Sequence, residues 1–516
     1  MTKQAPLSHI ILFVGLLVFS CCTFQLSPQD NPSEFGSYAD SLSADSMTFY
    51  LQKVIAADTS HHKADKAVIA FYNDPSFSFQ QPVWFNDMGV SPDADSLLSF
   101  LRRQLPLAAL DTTSFFLPQI AADLAIIHGL GFDSIGQSIN EVLPRLDYHL
   151  SKAFVRYCTG QRYGFIRPDH LFNHLEFKTG SEQKNEYAQL FDYEVESPDY
   201  EESVIELSSP DRMLYLQASQ PHGPVYEALV QQMLHSTNAA ERLTLVANME
   251  RCRWQHRRFY EDSIKILVNI PAQQLWAVTP DSILNMRICC GAVTNKTPLL
   301  CSIISYMQIN PDWIVPQNIV NNDFTRHAGD SAYFARNRYY IVDKSSGDTL
   351  RVEDVDAEYM RSKTLRIGQK GGAGNSLGRI IFRFKNNFGV YLHDTNNRKA
   401  FTYAKRTLSH GCIRVEQPYE LACFLLPQVD EWTIDCLRLS IDMPPLTPRG
   451  KKYLKEHPNG PRPLRLLTYH EVSPRMPVYL LYYTAWPNPS TGELEFYPDL
   501  YGYDKVILSS LAYILQ

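Results

Sequence analysis

The sequence predicts an α+β chain, with a helical first half, a mainly β domain after it and a polar insertion within that domain. Three observations carry the prediction. From Asp45 to about Asn248, apolar residues recur at spacings of three and four, the period of a helix face. At Ile264 that period gives way to short runs rich in β-branched and aromatic residues, broken by Pro and Asp. Between two sets of these runs, residues 321–365 are rich in Asp, Arg and Tyr. A chain of 516 residues holds about three folding units. With 45% apolar and 20% charged residues it can bury a large core. A net charge of -7 leaves no basic surplus for a phosphate backbone, so nucleic acid is not an expected partner. A mean hydropathy of -0.24 argues against a many-span membrane protein.

The first element is an export signal over residues 1–20. Lys3 precedes an apolar stretch, 10–19, of signal-peptide length and too short to span a bilayer. Val18-Phe19-Ser20-Cys21 reads as a bacterial lipobox, so Cys21 is the expected lipid-bearing first residue of the mature chain, with Cys22 as the shifted alternative. Residues 21–45, rich in Ser, Asp, Pro and Gln, read as a flexible tether.

The helical domain is expected over 46–250. Its markers are Leu97-Leu98-Ser99-Phe100-Leu101, the segment 120–127, a run from Leu143 through Phe154 and Tyr157, and a last helix over 225–249. A mainly β domain is expected over 264–505. It opens as a meander of strands at 264–270, 274–278 and 283–290, and a second set follows at 378–384 and 389–393. The 321–365 insertion is read as a lid. Tyr479, Tyr482, Tyr483 and Trp486 lie in a strand-like run, either packed in the sheet or facing outward.

Most of the ten cysteines read as bystanders. Cys289, Cys290 and Cys301 lie in apolar segments, where a free thiol behaves as a small hydrophobe. Cys158, Cys252, Cys423 and Cys436 form no C-x-x-C pair, and His170 and His174 have only Cys158 near them, so no metal site is expected. Gly371-Gly372-Ala373-Gly374 lacks the Lys-Ser/Thr of a phosphate loop, and no cofactor is expected. His61-His62 and His256 sit in polar contexts and read as solvated.

Cys412 differs. Tyr391-Leu392-His393-Asp394-Thr395 ends an apolar strand, a polar loop follows, and Ser409-His410-Gly411-Cys412-Ile413-Arg414 precedes a helix opened by Pro418. A thiol at such a turn gains from backbone N–H groups and the helix field. An imidazole is the usual means of ionising it, and both His410 and His393 are candidates. The N–H groups of Gly411 and Cys412 are candidates for an oxyanion hole. Arg414 supplies a planar cation suited to a carboxylate. The plain alternative is a buried cysteine among structural histidines.

The hexapeptide Ser409–Arg414 and the upstream Tyr391–Thr395 element resemble the signature of L,D-transpeptidases with a YkuD-type catalytic domain. Further stretches are similar to the large, scaffold-bearing YcbB-like enzymes of Gram-negative bacteria. They include Asn248-Met249-Glu250-Arg251-Cys252-Arg253-Trp254, Lys296-Thr297-Pro298, Asn310-Pro311-Asp312-Trp313, Gly374-Asn375-Ser376-Leu377-Gly378 and Pro477-Val478-Tyr479-Leu480. The resemblance implies a fold, a helical scaffold and a mainly β catalytic domain whose insertion at 321–365 would be a capping subdomain. It also implies an activity, 3-3 cross-linking of peptidoglycan stem peptides through a Cys412 thioester with release of D-alanine. His393 would be the base and the Asp394 carbonyl would orient it. Arg414 and Tyr391 would hold substrate, and Ser409, His410 and Gly411 would support the turn. Donor tetrapeptide and acceptor stem would be the partners, with carbapenems as covalent inhibitors and a periplasmic, lipid-anchored location in a Gram-negative bacterium. No counterpart of that group's separate peptidoglycan-binding module is visible between Gly160 and Glu241. Two other outcomes use the same reading of the residues: hydrolysis by the same Cys/His pair, as an endopeptidase or carboxypeptidase, and a non-catalytic wall-binding lipoprotein.

Overall fold

Helices form where capping residues and apolar periodicity coincide. The computed structural model describes residues 41–515, apart from 60–61, 87, 133–135, 176, 179–185, 188, 255–261 and 459–463. The expected signal, Cys21, Cys22 and nearly all of the tether lie outside the described residues, as do His61 and His256. Among the described residues no helix is long and apolar enough to cross a membrane.

The helical part is organised by Ile139–Tyr163, a 25-residue helix that is buried along most of its length. Ala44–Ala57, Lys63–Tyr72 and Leu117–His128 pack around it. Its polar residues are paired as they are buried. Asp147 accepts from Trp84 N and the Tyr72 hydroxyl at 2.8 and 2.6 Å, and burial pushes its carboxyl up to about 6. Arg156 and Lys152 both close on Asp65. The helix expected over 225–249 is instead two, Pro224–His235 and Ala239–Arg253. Asn238 breaks the run because its side chain caps the second helix, accepting from Ala240 N and Glu241 N.

The second half is a closed barrel. The meander Lys265–Asn269, Gln274–Val278, Ile283–Gly291 is antiparallel, as its spacing predicts. From its last strand the order continues through Ile413–Val415, Leu392–His393 and Ile380–Phe384. The ring closes because Leu299–Ile309, eleven residues long, pairs with Ile380–Phe384 on one edge and Tyr469–Leu481 on the other. Tyr469–Leu481 then runs parallel to Lys265–Asn269. Closure leaves little exposed strand edge. The short strand Phe191–Asp192, from the helical half, extends the sheet beside Leu299 and Leu300. A second tie is polar: Asn248 exchanges hydrogen bonds with Thr484, whose hydroxyl donates to Asp504 at 2.6 Å. One hydrophobic cluster runs through both halves. Tyr479, Tyr482, Tyr483 and Trp486 are buried in it, which settles their reading as packing. Cys301, read as a small hydrophobe, is exposed, because its position alternates to the outer side of the barrel.

The insertion has a core of its own. Val315, Phe324, Phe334, Ile341, Val355, Met360 and Ile367 pack together, apart from the main cluster. Its four strands include Trp313–Ile314 and Leu365–Gln369, whose pairing Trp313↔Gln369 forms the neck. The body therefore runs from 313 to 369, wider than the polar stretch that marks it in the sequence. The glycine cluster serves this neck: Gly371 N donates to Asp312 at 2.7 Å, and a Cβ on Gly371 would lie 2.1 Å from the Asn310 carbonyl oxygen.

Candidate active site

Register decides which side chains meet. Leu392–His393 runs parallel to Ile413–Val415, with Leu392 beside Ile413 and His393 beside Arg414. Leu392 and Ile413 are wholly buried inside the barrel. Alternation therefore puts Tyr391, His393, Cys412 and Arg414 together on its outer face. Extending the register by one residue sets Tyr391 beside Cys412. The Ile413 amide donates to the Tyr391 carbonyl at 3.1 Å and holds that alignment.

His393 is 4% exposed. Its Nδ1 donates to the Asp394 carbonyl at 2.5 Å, which fixes the tautomer and leaves Nε2 as the acceptor. Burial, and secondarily the Arg414 guanidinium, drive its pKa down to about 3. The Asp394 side chain is used elsewhere, accepting from Arg379 N at 2.8 Å and from Arg398 at 2.9 Å. Gly378 abuts it with φ +67, and a Cβ there would come within 2.4 Å of the carboxyl.

The Cys412 thiol is pushed up to about 11, chiefly by burial, with Tyr391, Arg383 and Arg414 opposing. It also contacts the Gly389 carbonyl at 3.9 Å. The resting site thus holds a neutral thiol and a neutral imidazole. The helix field expected to favour a thiolate does not reach it: Ile413–Val415 carries the chain away before the seven-residue helix Pro418–Phe424 begins.

The turn itself is braced. Ser409 Oγ donates to the Cys412 carbonyl at 2.5 Å and accepts from Gly411 N at 3.2 Å. The Gly411 amide expected in the oxyanion hole is therefore already bonded. The Cys412 amide has no hydrogen bond among the described residues and is the donor left for an oxyanion. Gly411 contributes its φ of +110 and its carbonyl, which accepts from Thr297 Oγ1 at 2.8 Å. Thr297 Oγ1 also accepts from Gly291 N, and Thr297 N donates to Tyr501, whose hydroxyl returns to the Gly291 carbonyl at 2.7 Å.

His410 is not with the thiol. Its ring is 42% exposed and its Nε2 lies 3.8 Å from Asp323 of the insertion. Arg414 is mostly buried, and its Nε has no hydrogen-bond partner. A largely buried guanidinium with an unsatisfied Nε can take an anionic group. The structure thus brings Cys412, His393, Tyr391, Arg414, Gly411 and Ser409 together, and leaves His410 and the Asp394 carboxylate outside. Sequence reasoning missed Arg383, whose guanidinium stacks over Tyr391 at 4.3 Å. The available signal was a lone cation in the apolar run Ile380-Ile381-Phe382-Arg383-Phe384. Tyr501 and Asp323 left no such mark. Among the described residues no group of three or more His, Cys, Asp or Glu is placed to hold a metal ion.

Comparison with known proteins agrees with this geometry. Residues 263–434 match the L,D-transpeptidase catalytic domain family, YkuD, and residues 66–233 match a scaffold domain family. A Haemophilus influenzae protein named "Putative L,D-transpeptidase" is 31% identical over 245 residues, 47% of this chain and 45% of that protein. The chain thus spans about half the length of the relative it matches.

Proposed function

With a YkuD-type L,D-transpeptidase catalytic domain behind a scaffold domain, we propose that this chain forms 3-3 cross-links between peptidoglycan stem peptides. Cys412 is the nucleophile and His393 the base. The supporting observation is the shared face of His393 and Cys412, with the imidazole tautomer fixed by the Asp394 carbonyl.

In the first half-reaction the Cys412 thiol gives its proton to His393 Nε2 as sulfur attacks the carbonyl of the diamino acid. The oxyanion forms at the Cys412 amide. The bond to D-alanine then breaks, and the proton passes from Nε2 to the leaving amine. In the second, the side-chain amine of an acceptor stem attacks the thioester and loses a proton to Nε2. The C–S bond breaks and the thiol regains that proton. With thiol and imidazole both neutral at rest, proton transfer accompanies attack rather than preceding it. Arg414, with Nε unpartnered, takes a donor carboxylate.

The proposal extends to address: the chain is exported, lipid-anchored at Cys21 and faces the periplasm of a Gram-negative bacterium. Incubation with disaccharide-tetrapeptide followed by mass analysis tests the reaction. Cross-linked dimer plus free D-alanine supports it. Trimmed monomer alone indicates hydrolysis by the same residues, and unchanged substrate indicates a wall-binding role.

A further inference from the structure

Cations outnumber their partners around the nucleophile. Three arginines near the site each hold a carboxylate: Arg287 with Glu416, Arg379 with Asp442 at 2.8 Å and Arg398 with Asp394 at 2.9 Å. Arg414 and Arg383 hold none among the described residues. Arg383 is half-buried; its Nε donates to Gln308 at 3.1 Å, and its two terminal nitrogens have no protein partner among the described residues.

The ladder fixes where these two cations stand. One row across the outer face reads Gln308, Ile381, His393, Arg414, Cys289. The next row, continued by one residue, reads Tyr306, Arg383, Tyr391, Cys412. Arg383 and Arg414 thus sit on the two strands flanking Leu392–His393, one row apart, roughly 10 Å across and 7 Å along at ordinary sheet spacings. Arg414 adjoins the thiol on its own strand. Arg383 faces it across the Tyr391 ring.

Resting on the transpeptidase reading, we infer that Arg383 is a specificity-determining residue that binds a second carboxylate of the donor stem. Such a donor carries two carboxylates near the scissile bond, at the terminal D-alanine and at the side-chain end of a diamino acid. A guanidinium with free terminal nitrogens pairs with a carboxylate and not with its neutral amide. The Tyr391 ring orients the guanidinium plane while leaving its outer edge open. The site would therefore select donors with free carboxylates over amidated ones.

The experiment measures D-alanine release by the full chain from three disaccharide-tetrapeptides. One is unmodified, one is amidated at the diamino acid side-chain carboxylate, and one is amidated at the terminal D-alanine. The expected result is a loss of roughly ten- to a hundredfold in kcat/KM on each amidated donor, the cost of a charge-assisted hydrogen bond, one carboxylate being held by Arg414 and the other by Arg383. Arg383→Gln should show that loss on the unmodified donor and no further loss on amidation at one of the two positions, which identifies the carboxylate that Arg383 reads, while Arg383→Lys keeps most of the preference. Wild type treating all three donors alike overturns the inference alone. So does Arg383→Gln lowering all three by one factor, the mark of a residue that only supports Tyr391. No D-alanine from any donor removes the transpeptidase reading as well.

Discussion

The His393 imidazole and the Asp394 carbonyl are joined at 2.5 Å, Nδ1 to oxygen. The bond comes from the backbone, so it survives most changes to the Asp394 side chain. Cys412→Ala should abolish acyl-enzyme formation, and His393→Ala should lower kcat/KM by roughly a thousandfold or more, since base and nucleophile act together. Asp394→Asn should stay within about tenfold of wild type in acylation. Its cost falls on stability, because the carboxylate caps Arg379 N and pairs with Arg398. A thermal melt read beside D-alanine release separates the two; an Asp394→Asn loss as large as that of His393→Ala would assign the carboxylate a direct role.

The titration of the pair gives a second prediction. Burial lowers His393 to about 3 and raises Cys412 to about 11, so a neutral thiol–imidazole pair is expected at neutral pH. Alkylation of Cys412 by iodoacetamide should climb steadily from pH 6 to 10 without the plateau that a preformed ion pair gives. Stability should respond in the acid range. A histidine whose folded pKa lies below its unfolded value near 6.5 stabilises the fold above that value. The contribution is lost as pH falls from about 6.5 towards 3, where the unfolded chain binds a proton that the native ring refuses. His393→Gln should flatten this part of the melting-temperature profile.

His410 and Asp323 join the insertion to the nucleophile turn at 3.8 Å. Both side chains are substantially exposed, so the contact is worth little energy by itself. Its effect is on how the separately cored insertion sits against the turn that carries Cys412. His410→Ser and Asp323→Asn should each lower cross-linking by less than about tenfold, and the double variant should be no worse than either alone. If His410→Ser proved as damaging as His393→Ala, the base would have to be reassigned.

The sequence was most legible where one period ran for many residues. The meander 264–290 and the helix through Leu143 and Tyr157 could be read from spacing, and the Ser409–Arg414 motif pointed to Cys412 as the proposed nucleophile. Barrel closure was not legible, because Leu299–Ile309 alternates imperfectly and Tyr469–Leu481 carries two prolines and a register shift. The break at Asn238 was hidden because the apolar spacing continues on either side of a cap. Within the site, His393 and Cys412 were legible as chemistry, while Thr297 and Tyr501 act through buried hydrogen bonds spanning more than a hundred residues. No local pattern records such a link. The thiol's upward shift was equally invisible, since a turn before a helix suggests the opposite and only burial reverses it.

That buried link is itself testable. Tyr501 receives Thr297 N and donates to the Gly291 carbonyl, while Thr297 holds the Gly411 carbonyl. Tyr501→Phe removes a hydroxyl and strands two buried groups, at about 1–3 kcal/mol. Thr297→Val should be comparable in stability and worse in catalysis, because it frees the peptide that positions the Cys412 amide. Denaturant melts paired with acylation rates check this; a Thr297→Val enzyme with unchanged acylation would show that the turn holds without the brace.

Inhibition by carbapenems, proposed on the same reading, would probe the same parts in another order. A strained β-lactam carbonyl needs a nucleophile, a proton acceptor and one oxyanion donor to open. In the proposed mechanism Cys412, His393 Nε2 and the Cys412 amide are those groups. Attack breaks the lactam C–N bond, the ring nitrogen takes the thiol proton by way of His393, and the drug remains as a thioester. Release would then need water or an amine to reach the carbonyl, and a drug carboxylate drawn to Arg414 would occupy the ground an acceptor would use. The adduct should therefore outlast the acyl-enzyme formed from a stem peptide. Two variants separate the steps. Arg414→Gln should slow acylation by weakening the initial grip, while Asp323→Asn should leave acylation nearly unchanged and speed release, if closing of the insertion limits access. Mass spectrometry of the intact chain after meropenem decides both: the increment should equal the whole drug, map to Cys412 and vanish in Cys412→Ala. An increment that survives Cys412→Ala would place the reactive thiol elsewhere and remove Cys412 from the mechanism.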